Sequence, residues 1–413
     1  MLDISARTIE AVRVLRDDGS RRLAQRLARA AHYRLGSSGL DFPLELGDVA
    51  DSRALRLAVP ARRPGLGTPL TVGWICTPPG AGSGGHTTMF RMIEAAEGAG
   101  HTCVLYLYDR FRGQLSRHEK VIRQCWPDVR AEVRVVAGGL APLDAYVATG
   151  WPTAHVLAAR ASLPTRRLYL VQDFEPFFYP KGSEYVLAED TYRFGFRCIA
   201  IGWMVADLLQ KRFNVRARVA EYGCDTPVYR LTNPGARTGV VFYAKQAIAR
   251  RGFELGMLAL REFHQRQPDQ EIHVFGDMPS AMPFPVTNHG KMAPAQLSEL
   301  YNRCRAGLVM SFTNVSLVPA EMLACGAVPA LSGSSYARAD LDNPYARWAD
   351  PSPLAIADQL GAIAASPTPS PAEVAASARV GSWESAQRVS VETIEDEVYG
   401  TGRDEASPSR GRP

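Results

Sequence analysis

Nowhere in these 413 residues does an apolar run approach the roughly 18 needed to cross a bilayer, and no leader-like segment precedes residue 30. Neither a transmembrane helix nor a signal peptide is therefore expected. The seven cysteines are scattered, odd in number and without a C-x-x-C pair, which speaks against a disulfide framework or a zinc module and for a reducing, cytoplasmic setting. The histidines are equally sparse. His86, His101, His118 and His273 show no metal-ligand spacing, so each reads as structural or surface, His86 alone being placed to touch a substrate. A net charge of only +5 gives no strong polyanion signature, and no nucleic-acid partner is expected. What remains is an ordinary apolar content and a chain long enough for two cores with extensions.

The most informative stretch is SFTNVSLVPAEMLACG, residues 311 to 326. The preceding AGLVM is a short apolar run of the kind found in buried parallel strands. Ser316 suits an N-cap, Pro319 fits the first helical turn and Glu321 follows inside the helix. Backbone N–H groups of Ser316 and Leu317 would then face an anion, and the acceptor-only Glu321 could hold ribose hydroxyls. The blander alternative is a Glu that only caps or salt-bridges. A second constellation, GVVFYAKQAIARRGFELGMLAL (239 to 260), places Lys245, Arg250 and Arg251 between a strand end and a helix, where cations can balance a departing diphosphate. A solvated basic turn is the competing reading. Two phosphate-suited loops at strand ends of one βα domain favour function.

Strands and helices alternate across 239 to 330, and again from TVGWIC (71 to 76) through CIAIG (198 to 202). The expected fold class is thus α/β, with two Rossmann-like doubly wound domains facing across a cleft. The divisions are an N-terminal basic helical extension and linker over 1–66, a first Rossmann-like domain over 67–232 and a second over 233–370. A C-terminal helix over 371–399 crosses back to the first domain, and 400–413 is a disordered tail. Gly80, Gly82 and Gly85, with Asp109 ending the next strand, satisfy a dinucleotide pattern. However, Thr77, Pro78 and Pro79 intervene between strand and first glycine, where that fingerprint needs a glycine and its N–H donors. A flexible loop lying over a phosphate-bearing ligand from the opposite domain, with Gly84 and Gly85 beside it, is preferred.

These residues resemble a known family, the retaining glycosyltransferases of family four with the GT-B fold. The resemblance runs through EYGCDTPVYR (221 to 230), YAKQAIARRGF and PAEMLACGAVPAL, covering about residues 70 to 395. GSGGHTTMFRMIEAAEGAGH, YLVQDFEPFFYPKGSEYVLAEDTYRFGF and FTNVSLVPAEMLACG are closer still to WsaF-type S-layer glycan rhamnosyltransferases. The resemblance implies transfer of L-rhamnose from dTDP-β-L-rhamnose, with retention, onto a glycan or lipid-linked glycan acceptor, without cofactor or metal. Lys245, Arg251 and Asp173 are the catalytic candidates. Gly84, Gly85, Lys245, Arg250, Arg251, Lys291, Thr313, Asn314, Val315, Ser316, Leu317 and Glu321 are the donor-binding set, and Asp173, Glu175 and Tyr179 the acceptor set.

Two departures from the family pattern stand out. Thr313 occupies the position eight residues before Glu321 where the family carries its first glutamate, and Gln172 stands where a His often precedes the acidic residue. A hydroxyl or the Asn314 amide would be a gentler partner for a deoxysugar. Three other readings stay open: another NDP-hexose glycosyltransferase, a sugar-nucleotide epimerase of the same fold, and a non-catalytic nucleotide-binding protein. Residues 11 to 34, Arg-rich with interspersed apolar residues, form either a solvated extension or a peripheral anchor on the inner face of the cell membrane.

Overall fold

The computed structural model describes residues 42–277, 282–333, 336–366, 369–378 and 381–401. The basic segment 11 to 34 and the tail from 402 onward lie outside them. The chain divides into a unit Met1–Gly47, whose described part contributes only the start of a 3-10 turn, and a unit Asp48–Pro413 that holds everything below.

In the larger unit the first sheet has seven strands, β1 (Thr71–Cys76), β2 (Thr102–Leu107), β3 (Glu132–Val135), β4 (Ala145–Ala148), β5 (Arg166–Val171), β6 (Arg197–Ile201) and β7 (Ala217–Ala220). They lie in the order β3-β2-β1-β4-β5-β6-β7. The second sheet has six, β8 (Val240–Ala244), β9 (Ile272–Gly276), β10 (Thr287–Gly290), β11 (Ala306–Val309), β12 (Val328–Ser332) and β13 (Arg347–Ala349), in the order β10-β9-β8-β11-β12-β13. Every pairing is parallel. Parallel neighbours need crossovers, and helices supply them. α1 (Gly84–Gly98), α2 (Leu115–Cys125), α3 (Trp151–Ala159), α4 (Ser183–Thr191) and α5 (Trp203–Phe213) serve the first sheet. α6 (Phe253–Arg266), α7 (Pro294–Arg303), α8 (Val318–Ala324), α9 (Pro353–Ala365) and α10 (Pro371–Ser377) serve the second, and α11 (Glu384–Tyr399) closes the chain.

Continuous burial of β1, β4, β5, β8 and β11 explains why their sequences are apolar without alternation: both faces are covered. Each sheet reverses its winding once, between β1 and β4 and between β8 and β11. Ligands of such sheets bind outside the strand carboxyl ends at that reversal, because helices diverge to opposite faces and leave a crevice. The two Rossmann-like domains foreseen from the alternation are therefore present, with the crevice-forming ends identified.

Three details differ from expectation. The stretch after β1 reads in sequence as a Gly-rich loop and then a helix through MFRMIEAAEGAG, but the helix begins at Gly84, so Gly84 and Gly85 lie in its first turn and the glycine loop is shorter. The single crossing helix over 371–399 is instead two helices. Val374 of α10 stays in the second core, whereas Trp383, Ala386, Ile394 and Val398 join the first. Ser316 does not cap α8; Leu317 holds that position, and Ser316 sits at φ 63°, the left-handed region that an L-residue rarely adopts.

Candidate active site

β8 ends at Ala244, and Lys245 follows at once. Its ammonium lies 3.4 Å from Asp277 Oδ1, which follows β9. A 3-10 turn, Ala249–Arg251, then presents two guanidinium groups at the reversal point. Arg251 donates from Nη1 to Ser311 Oγ at 2.8 Å and from Nη2 to Asn314 Oδ1 at 3.0 Å, so it pins the loop after β11. Arg250 stacks over the Phe178 ring at 3.9 Å, and its Nε lies 3.8 Å from Asp173 Oδ2. That distance is too long for a hydrogen bond, and this buried Nε has no hydrogen-bond partner among the described residues.

Asp173 comes from the opposite domain, two residues beyond β5. The Thr313 hydroxyl donates to its Oδ2 at 2.8 Å, and the Phe174 N–H donates to its Oδ1 at 2.9 Å. Beside it the Asn314 amide donates to the Gln172 carbonyl at 3.2 Å and to the Tyr222 hydroxyl at 3.1 Å. The domains thus meet through side chains of 313 and 314 on one wall and 172, 173 and 222 on the other. Burial outweighs the charge pairing on both sides. It raises the Asp173 carboxyl above the usual range despite Arg251 and Arg250, and it lowers the Arg250 guanidinium, helped by Arg251. A buried pair held this loosely is incompletely compensated, so an incoming anion has a cation to claim.

Glu321 points from α8 toward the Tyr301 hydroxyl, which donates to its Oε2 at 3.5 Å. Burial first, then the charge of Asp225, pushes its carboxyl up to about 7. Asp225 is itself paired with Arg91 at 2.7 Å. Val315 is buried in a small cluster with Leu331, and Leu317 packs against the core of the first domain. The Ser316 hydroxyl is buried without a partner among the described residues.

Glu175, expected beside the acceptor, is turned inward. The Trp151 N–H donates to Oε2 at 2.6 Å and the Tyr169 hydroxyl to Oε1 at 3.1 Å, leaving the carboxyl 6% exposed. Burial drives it up to about 7 against those two donors. Its role at this position is to fix the start of α3. Tyr179 accepts from Trp151 Nε1 at 3.1 Å, so it too is anchored to that helix. Lys291 follows the edge strand β10 and is exposed, two strands from the one that Lys245 follows. Gly85 faces Gln172: a Cβ there would stand 3.5 Å from the amide oxygen, and one at Gly84 would meet nothing. His86 bonds Ser83 Oγ at 2.7 Å and the Thr77 carbonyl at 3.1 Å, which shapes the loop after β1. Asp109, the acid of the dinucleotide reading, is engaged locally by His118 and by the Phe111 and Gly113 N–H groups. Sequence reasoning missed Tyr222 and Ser311, which hold the cleft wall; their signal was only proximity to the hinge and to Arg251's loop.

Comparison with known proteins finds relatives at the level of family and fold. The WsaF N-terminal domain family matches residues 130–202 and the WsaF C-terminal domain family residues 238–361. The O-antigen biosynthesis protein RfbC of Myxococcus xanthus is 32% identical over 216 residues, half of this chain but 16% of that protein. Among solved structures, Anabaena Alr3699/HepE in complex with UDP and glucose superposes with a TM-score of 0.56 at 16% identity, over 80% of this chain and 99% of that one. WaaG, a glycosyltransferase involved in lipopolysaccharide biosynthesis, gives 0.53 at 12% identity over 80% and 100%. A putative UDP-N-acetylglucosamine 2-epimerase from Listeria monocytogenes gives 0.54 at 9% over 82% and 99%. At these identities the structures share the fold alone.

Proposed function

We propose, from the premise that this chain belongs to the WsaF-like glycosyltransferases of GT-B fold, that its cleft moves L-rhamnose from dTDP-β-L-rhamnose onto a glycan with retention. The observation that carries the donor half is the convergence of Lys245, Arg250 and Arg251 on the β8/β11 reversal, with the Arg250 Nε buried and unpaired. A diphosphate seated there would complete that hydrogen-bonding deficit, and its charge would be balanced more strongly as it leaves. Glu321, one helix away, would take the ribose hydroxyls. The sugar would then lie toward Thr313 and Asn314, whose neutral groups suit a 6-deoxyhexose.

Retention follows if the acceptor hydroxyl attacks from the face the diphosphate leaves, the departing phosphate oxygen taking its proton. No divalent metal is needed in that scheme, since guanidinium and ammonium groups supply the positive charge. Asp173, joined to Thr313 and facing Arg250, would orient the acceptor hydroxyl. An acceptor that is lipid-linked would place the protein in the cytoplasm, peripherally on the membrane. The epimerase reading shares the fold, and product analysis separates it.

The test is calorimetric titration with dTDP-β-L-rhamnose and other nucleotide sugars, followed by NMR of the product in the presence of excess chelator. Arg251→Ala and Lys245→Ala should each weaken donor binding and slow transfer, the latter by about 3 kcal/mol of transition-state stabilisation. An inverted linkage, an epimerised donor, or activity lost to chelator and restored by magnesium would overturn the proposal.

A further inference from the structure

The connection between the two domains carries a charged pair that lies outside the cationic cluster. Arg91, on α1 of the first domain, donates from Nη2 to Asp225 Oδ2 at 2.7 Å. Its guanidinium also stands 5.0 Å from the Trp383 ring centroid, and its carbonyl accepts from Gln387 Nε2 at 2.9 Å. Asp225 lies between β7 and β8, so α1, the hinge and the start of α11 meet at this one residue.

From Asp225 the contacts lead on to Glu321. The Asp225 carbonyl accepts the Tyr229 N–H at 2.8 Å, the Tyr229 ring lies 6.1 Å from that of Tyr301, and the Tyr301 hydroxyl donates to Glu321. The titratable groups that act on Glu321 are Cys224, Asp225 and Tyr229 from the hinge, Tyr243 on β8, Tyr301 on α7 and Cys325 after α8. Burial pushes the two thiols and three phenols up, so among these Asp225 alone brings a charge near neutral pH. That like charge opposes ionisation of Glu321, and the Arg91 guanidinium is placed to offset it.

We propose that Arg91 is a positioning residue for the donor site: by pairing with Asp225 it keeps Glu321 an ionised acceptor for ribose hydroxyls. The inference rests on the reading of Glu321 as the ribose group and identifies what sets its charge. A protonated carboxyl gives up acceptor capacity and charge assistance, so donor affinity falls when Glu321 takes up a proton. Because Arg91 comes from the first domain and Glu321 from the second, ribose recognition then depends on how the hinge holds the two together.

Binding of dTDP-β-L-rhamnose, whose diphosphate has no proton to titrate between about pH 6 and 9, is measured by calorimetry across that range. The proteins are wild type, Arg91→Gln, Arg91→Lys, Asp225→Asn and the double variant Arg91→Gln/Asp225→Asn. In wild type, affinity should rise through pH about 7, where Glu321 ionises. Arg91→Gln should move that midpoint up by about one pH unit, weakening binding about fivefold at pH 7 and leaving it nearly unchanged at pH 9. Arg91→Lys should stay near wild type. Asp225→Asn should move the midpoint down, and adding Arg91→Gln to it should shift it no further. The Glu321 carboxyl, identified in carbon NMR spectra by its loss in Glu321→Gln, should show the same order of midpoints without ligand. A loss in Arg91→Gln that is equal at pH 7 and pH 9, or an unmoved Glu321 midpoint, gives Arg91 a structural role only and overturns the inference. Midpoints that shift as stated while wild type binds no donor at any pH overturn the donor reading instead, and leave the coupling of Arg91 to Glu321 standing.

Discussion

Glu175 shows how a residue type suggests one partner while the fold supplies another. A carboxylate amid aromatic residues near a strand end suggests hydroxyl recognition, yet both its oxygens are spent on Trp151 and Tyr169. Burial pushes its carboxyl up to about 7, above the ordinary glutamate value of about 4.5. The stabilisation this represents is fully present below pH about 4.5 and is lost as pH rises through about 7, because the folded state then gives up a proton it held more tightly than the unfolded chain. Glu321 shifts the same way and shares the window. Glu175→Gln should therefore flatten part of the decline and gain stability at pH 8 relative to pH 5, by at most about 3 kcal/mol. Urea midpoints of both proteins at the two pH values check this; parallel curves would contradict it.

Ser316 is a second residue-scale case. Its positive φ and unpartnered buried hydroxyl are two local costs at the start of the donor loop. Glycine would relieve both, so Ser316→Gly should raise the melting temperature, with a stability gain of about 1 kcal/mol. If the strain serves donor binding, nucleotide affinity should fall in the same variant. A gain in stability with affinity unchanged would assign Ser316 no part in the site.

At the scale of elements, α8 is held against β11 by an absence of side chain. A Cβ at Gly307 would stand 2.3 Å from Met322 Sδ and 3.3 Å from Val241 Cγ1. Alanine can be absorbed by rotation of the flexible Met322 side chain, whereas Gly307→Val cannot without moving the helix. That variant should lose about 1–3 kcal/mol of stability and, because Glu321 adjoins Met322, lose donor affinity as well. Denaturation and dTDP titration of the Ala and Val variants together distinguish a shifted helix from simple overpacking, in which affinity of the folded fraction would be preserved.

At the scale of the whole molecule, the larger unit has two cores tied at several places, among them the start of α5, where the Met204 N–H donates to Asp340 Oδ1 at 3.3 Å. Behind the cleft, Trp383 rests on Gly223, where a Cβ would meet the Trp383 backbone N at 2.7 Å, and Cys224 donates its N–H to the Gly381 carbonyl. Across the cleft the tie is polar: Thr313 to Asp173 and Asn314 to Gln172 and Tyr222. Removing the polar tie should free the domains to separate without unfolding either. Asp173→Ala is expected to increase the radius of gyration of the ligand-free protein in small-angle scattering, and saturating dTDP should return part of the compaction. Scattering identical to wild type would show that the remaining contacts, those of Asn314 with Gln172 and Tyr222 among them, hold the closure without Asp173.

Sequence alone determined the alternation of buried strands and helices, the two-domain plan, and the positions of Lys245, Arg250, Arg251 and Glu321 near strand ends, because periodicity, proline placement and cation clustering are local properties. It was silent on β7, β10 and β13, whose short and partly exposed strands carry little pattern. It also placed α1 late, since consecutive glycines are poor helix formers and only packing compensates for them. The direction in which a side chain points is not local. That Glu175 faces inward was decided by Trp151 and Tyr169 of its own domain, and that Asp173 reaches Thr313 and Phe177 meets Tyr336 by bringing residues more than a hundred positions apart onto facing walls; burial and the available donors, not residue type, fix what each group can do.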